Sequence, residues 1–147
     1  SATLNAAGLA LVRKAGVPSG IPYHDWWLYQ LISGAGGAVL IDPAYVLRYR
    51  QHGANAMGAH RGALSSLRRS AQLLDRTYGS WIAANTCALA QVGPLLTPQN
   101  RQLLDALRTL PHRAGVARAQ AFRQLGLHRQ TPQATTALLL GAFLGRV

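Results

Sequence analysis

Two short stretches carry the residue types that could do chemistry. The first, Tyr23-His24-Asp25-Trp26-Trp27, sets a carboxylate beside two indoles, directly after the proline-stiffened run Val17-Pro-Ser-Gly-Ile-Pro22. A carboxylate on a loop held by rigid elements is suited to general-base work, and tryptophan faces bind sugar rings through apolar contact. The same residues have a plainer reading, in which Asp25 caps a helix and Trp26 and Trp27 fill a core. The second stretch, Tyr49-Arg50-Gln51-His52-Gly53-Ala54-Asn55, ends an apolar run. An arginine and a neutral imidazole there can meet phosphate oxygens or a divalent ion, although no second metal ligand lies close in sequence.

The elements that must position these groups follow from proline, glycine and periodicity. Asn5 to Ala15 predicts a short helix with Leu4, Ala7, Leu11 and Val12 toward one face and Gly16 and Pro18 as its stop. Two prolines and a glycine within six residues exclude helix over 17–22. A second, mostly buried helix is expected from Asp25, as its N-cap, to the Gly34-Ala-Gly-Gly37 run. Ala38–Ile41 and Tyr45–Tyr49 are the strand candidates, joined by Asp42-Pro43-Ala44 into a small hairpin. Beyond Gly58 the chain reads as helical. Leu64, Leu67, Ala71, Leu74, Tyr78 and Trp81 form an apolar stripe of one long helix, with Gly79 as its point of bending or breakage. Thr97-Pro98 and Thr131-Pro132 each join an N-cap residue to the residue favoured at the first helical position, and a further helix fits Gly115 to Leu125. The expected class is mostly α with a small β-hairpin.

Composition bounds the partners. The chain has 147 residues, is 49% hydrophobic and 13% charged, and carries a formal net charge of +11. That balance excludes a disordered polyelectrolyte and predicts a folded core. The charge is unevenly placed: the residues up to Leu47 sum to zero, whereas from Arg48 onward 13 arginines face Asp75 and Asp105. The arginines are either the solvated faces of packed helices or an attachment to an anionic membrane surface. A basic helical nucleic-acid-binding module is an alternative, as is a helical protein-interaction domain; against the former, the tryptophan pair lies in the neutral third. Cys87, the single cysteine, forbids an internal disulfide and is expected as a buried small apolar residue. No apolar run reaches the length of a membrane span, and Arg13-Lys14 follow rather than precede the first apolar stretch, unlike a cleavable signal. A cytoplasmic location, peripheral to the inner face of the plasma membrane, fits these features.

Taken together, His24-Asp25-Trp26-Trp27, Gly36-Gly37-Ala-Val-Leu-Ile-Asp42-Pro43 and Tyr49-Arg50-Gln51-His52-Gly53-Ala-Asn55-Ala-Met-Gly58 resemble the C-terminal half of the catalytic domain of family-2 glycosyltransferases, and most closely the bacterial rhamnosyltransferase-like members. Thr3-Leu4-Asn5 resembles the segment before that family's acceptor loop, and the resemblance covers about residues 2–60. It implies an acceptor-side fragment of an α/β type-A fold over 1–60 followed by a basic helical extension over 61–147. Asp25 would be the general base toward an acceptor hydroxyl, a cell-surface polysaccharide or lipid-linked glycan. Trp26, Trp27 and His24 would bind the acceptor, Arg50 and Tyr49 the diphosphate of a nucleotide-sugar, and His52 a metal. The family's divalent ion, magnesium or manganese, is held by an Asp-x-Asp motif about a hundred residues before the base. Here 24 residues precede Asp25, and the four aspartates lie at least 17 positions apart. The resemblance therefore implies that the nucleotide-binding half and the main metal ligands are missing, that no metal is bound by this part alone, and that the isolated chain is inactive. An exposed former core face would also favour self-association.

Overall fold

The computed structural model describes residues 2–41, 76–129 and 131–147. Among them it is helical: α1 (Ala6–Ala15), α2 (His24–Gly34), α3 (Thr77–Gln91), α4 (Pro98–Thr109), α5 (Gly115–Gln124) and α6 (Pro132–Phe143), with single 3-10 turns at Gly93–Leu95 and Leu110–His112. The described residues contain no strand. The first arm of the expected hairpin, Ala38–Ile41, is irregular, with Leu40 93% and Ile41 84% exposed. A strand needs a ladder partner, and no described segment supplies one. The second arm, the boundary near residue 60 and most of the expected long helix lie outside the described residues.

Local chemistry explains most helix ends. The Asn5 side chain accepts from the Gly8 amide at 2.8 Å and starts α1, and Gly16, at φ 73°, ends it in a conformation that glycine adopts without strain. Thr97 and Thr131 accept from the amides of Asn100 and Ala134, each at 3.2 Å, and each is followed by proline at the first helical position. Both helices predicted from Thr-Pro pairs therefore form, as does the one from Gly115. The N-cap of α2 differs from expectation. It is Tyr23, in extended conformation and without a side-chain capping bond, and Asp25 lies inside the first turn. The chain reaches Tyr23 straight from the Pro22 loop, so the helix begins one residue before the carboxylate.

The stripe read as one helix through Trp81 is also interrupted. Arg76 is left-handed at φ 70°, and α3 starts immediately after it. Gly79 neither bends nor breaks α3; it lets the C-terminus approach, because a Cβ at Gly79 would lie 2.6 Å from the Arg146 carbonyl oxygen. Cys87 is exposed, a correction to its expected burial. Ser80, Ala83, Cys87 and Gln91 recur at three- and four-residue steps along the solvent side of α3, whereas Asn85 and Ala88 point inward. Small residues on every side of the helix gave no contrast from which to choose that face.

Two apolar clusters result. Trp27, Leu31 and Ala88 form the first, flanked by Leu11, Val12 and Ala15 of α1, with Ile21, Leu89 and Val92. Ala7, expected on one face with Leu11 and Val12, is exposed, whereas Ala15 packs with those two against the first cluster. Leu110, Ala121, Phe122, Leu138 and Ala142 form the second, flanked by Tyr78, Leu107 and Val147 among others. α2 is tied to α4 by backbone polarity. The Asn100 amide donates to the Ser33 and Gly34 carbonyls at 3.3 and 3.0 Å, and the Thr97 amide donates to the Gly34 carbonyl at 3.0 Å. These bonds satisfy the last carbonyls of α2, which have no partners within the helix. Asn100→Ala should therefore destabilise the fold by about 0.5–1.5 kcal/mol in urea unfolding, through loss of its side-chain bonds, while the Thr97 and Gly36 amides still donate to the Gly34 and Ser33 carbonyls. The neighbouring exposed Gln99→Ala should change it by less than about 0.5 kcal/mol.

Candidate functional site

The sequence-predicted site divides into a described and an undescribed part. Tyr49, Arg50 and His52 lie outside the described residues. His24 and Asp25 are exposed in the first turn of α2, and the Asp25 carboxylate accepts from the Trp26 amide at 3.1 Å. An acidic side chain is favoured at that end of a helix, where amide dipoles point their positive ends outward. The two tryptophans then part company. Trp27 is buried in the first core cluster, so its ring offers no face to a ligand; its indole Nε1 has no hydrogen-bond partner among the described residues. Trp26 is half-buried, on the side of the helix that meets α3.

Trp26 belongs to a four-ring cluster built from two equivalent pairs. Tyr23 and Trp26 stand three residues apart at the start of α2, with ring centroids 5.1 Å apart; Tyr78 and Trp81 stand three apart at the start of α3, with centroids 5.8 Å apart. A three-residue step places side chains on one helix face, which is why each pair touches. The pairs meet edge to face. Tyr23 and Trp26 approach Trp81 at 5.3 and 5.8 Å with ring planes at 84° and 82°, and Trp26 approaches Tyr78 at 6.3 Å. Such geometry sets the positive edge of one ring against the negative face of another. The Arg129 guanidinium sits 4.7 Å from the Tyr78 ring centroid and donates to the Tyr78 hydroxyl. Its own backbone is fixed by Thr135, whose hydroxyl oxygen accepts from the Arg129 amide at 2.9 Å.

Tyr78, Trp81 and Arg129 were not among the expected site residues. The repeated Tyr-x-x-Trp spacing at 23–26 and 78–81 is the signal that links the two pairs; nothing in the sequence places Arg129 against them. The four half-buried rings adjoin the turn that carries Asp25. An apolar aromatic surface beside an accessible carboxylate can hold a polar-edged, apolar-faced molecule such as a sugar and accept a proton from one of its hydroxyls.

A separate cleft of about 200 Å³ lies between α2, α3 and α4, lined by Gln30, Leu89, Leu96, Asn100, Leu103 and Leu104 among others. It includes neither Asp25 nor any of the four rings, and its size falls below the roughly 300–1,000 Å³ usual for small-molecule sites. Among the described residues no group of three or more His, Cys, Asp or Glu side chains is placed to hold a metal ion. No described helix is long and apolar enough to cross a membrane. Comparison with known protein families, characterised proteins and solved structures finds no match for this chain.

The cluster should be energetically coupled across α2 and α3. A double-mutant cycle of Trp26→Ala with Tyr78→Ala, measured by urea unfolding, should give a coupling of about 0.5–1.5 kcal/mol, whereas strict additivity would show that the two rings stabilise the fold independently.

Proposed function

We propose that the chain is the acceptor-side part of a glycosyltransferase related to family 2, with Asp25 as the general base. The observation that carries this reading is the exposed Asp25 carboxylate at the edge of the Tyr23–Trp26–Trp81 aromatic surface. The acceptor sugar lies against the exposed parts of Trp26 and Tyr23, with His24 beside it. Its hydroxyl oxygen attacks the anomeric carbon of the donor, the hydroxyl proton passes to the Asp25 carboxylate, and the nucleoside diphosphate leaves with the bonding electrons. Arg50 and Tyr49 are the residues that the resemblance assigns to the departing diphosphate. A metal bound through His52 and through residues of the missing half would supply charge neutralisation on that leaving group. The described residues contribute orientation of the acceptor and removal of its proton.

The reading assigns different kinetic roles to neighbouring residues. In the protein extended by its upstream sequence, Asp25→Asn should lower kcat by about 10²–10⁴-fold with little change in acceptor KM, as for loss of a general base. Trp26→Ala should act mainly on acceptor KM. Retention of full kcat by Asp25→Asn would remove Asp25 from the chemistry, and an initiation codon directly before the Ser1 codon would remove the fragment reading itself.

A further inference from the structure

The second core cluster has an end that the acceptor reading does not use. α5 and α6 pack as an antiparallel pair, closed at one end by the connection through Arg129 and open at the other, where the first turn of α5 meets the last turn of α6. A Cβ at Gly115 would lie 3.6 Å from the Phe143 ring, and the Arg118 guanidinium bridges the helices by donating to the Ala142 carbonyl at 3.3 Å and to the Arg113 carbonyl. At this end four large apolar side chains stand in solvent: Val116 is 60% exposed, Leu140 53%, Leu144 49% and Phe143 46%. Leu140, Phe143 and Leu144 continue an outward stripe of α6 that begins with the polar Gln133 and Thr136, so the same face changes from polar to apolar as it nears the open end. A single exposed leucine needs no explanation, whereas a group of four at one tip does.

The surrounding charge is of one sign. Exposed Arg113 and Arg146 stand two residues from Gly115 and Leu144. From Arg76 to the end of the chain, eight arginines face the single carboxylate side chain of Asp105. We infer that this end docks on an anionic lipid bilayer: Val116, Leu140, Phe143 and Leu144 enter the boundary between headgroups and acyl chains, and Arg113 and Arg146 pair with lipid phosphates. Charge complementarity selects this occupant. A second copy of the chain would set these arginines against their own kind, and duplex nucleic acid would supply phosphates but no apolar medium for the leucines. The inference is independent of the role assigned to Asp25.

Flotation of the 147-residue chain with vesicles of equal parts phosphatidylglycerol and phosphatidylcholine tests it. The chain should float with these vesicles and not with pure phosphatidylcholine. Phe143→Ser with Leu144→Ser should weaken binding about tenfold or more, and Arg113→Ser with Arg146→Ser about tenfold at low salt, the latter difference shrinking as salt is raised. Arg13→Ser with Lys14→Ser removes two charges from α1, beside the other core cluster, and should have a smaller effect. Circular dichroism confirms that each variant is folded; Val116→Ser, at the second residue of α5, replaces the double serine variant if that one is not. Failure of the chain to bind anionic vesicles, undiminished binding by the apolar and arginine variants, or equal loss in the α1 variant would each overturn the assignment. So would a dimer in solution that Phe143→Ser dissociates.

Discussion

The structure depends on the edge-to-face meeting of Tyr23 and Trp26 with Tyr78 and Trp81. Among the described residues each of the two apolar clusters is small, and the largest fully buried side chains are Trp27 and Leu31, both in the first cluster. A core of that size gives little stability by itself, since burial must offset the conformational entropy of every ordered residue. The four rings join the clusters. Trp26 adjoins Trp27 of the first, and Tyr78 packs directly on the second. Aromatic pairs of this kind contribute about 0.5–1.5 kcal/mol each beyond the area they bury, a sizeable part of a net stability of about 5–15 kcal/mol. Because the joint is made by the first turns of α2 and α3, it also fixes the turn that carries Asp25.

Polar contacts act at the margins of this arrangement. Asn100 and the Thr97 amide close the C-terminal end of α2, and Arg118 closes the open end of the α5–α6 pair by donating to carbonyls on both sides. Each contact places a strong donor on backbone carbonyls next to a helix end. The molecule thus presents two different surfaces: an aromatic one beside Asp25, and an apolar one, with Arg113 and Arg146 close by, where the first turn of α5 meets the last turn of α6. Asp25, His24 and the tryptophans Trp26 and Trp27 lie in the part of the sequence whose charges cancel, whereas the charge excess lies from Arg48 onward.

The helices with strong local signals were legible in the sequence. Asn5, Thr97-Pro98 and Thr131-Pro132 mark starts because their side-chain oxygens or missing amide act within three residues, and Gly16 marks a stop for an equally local reason. Features decided at long range were not legible. Whether Ala38–Ile41 becomes a strand depends on a partner, and the solvent face of α3 depends on what packs against Ala88 rather than on the character of Cys87. The roles of Trp26 and Trp27 were inseparable by sequence, since adjacent helical residues of the same type point about 100° apart and only the neighbours decide which is core. Asn100 finds its acceptors 66 and 67 positions away, and no local pattern encodes that. Of the expected site, Asp25, His24 and Trp26 share the accessible end of α2, whereas Trp27 belongs to the core.

The central claim is that one aromatic joint holds the two clusters together and positions the Asp25 turn. Native-state hydrogen exchange of Trp81→Ala, compared residue by residue with the parent chain, tests it most directly. Loss of the joint should lower amide protection in α2 and in α5 and α6 together, because the clusters then lose each other's support. Protection that falls only around the substitution in α3, with α2, α5 and α6 unchanged, would show that each cluster is stable without the rings and would contradict the account.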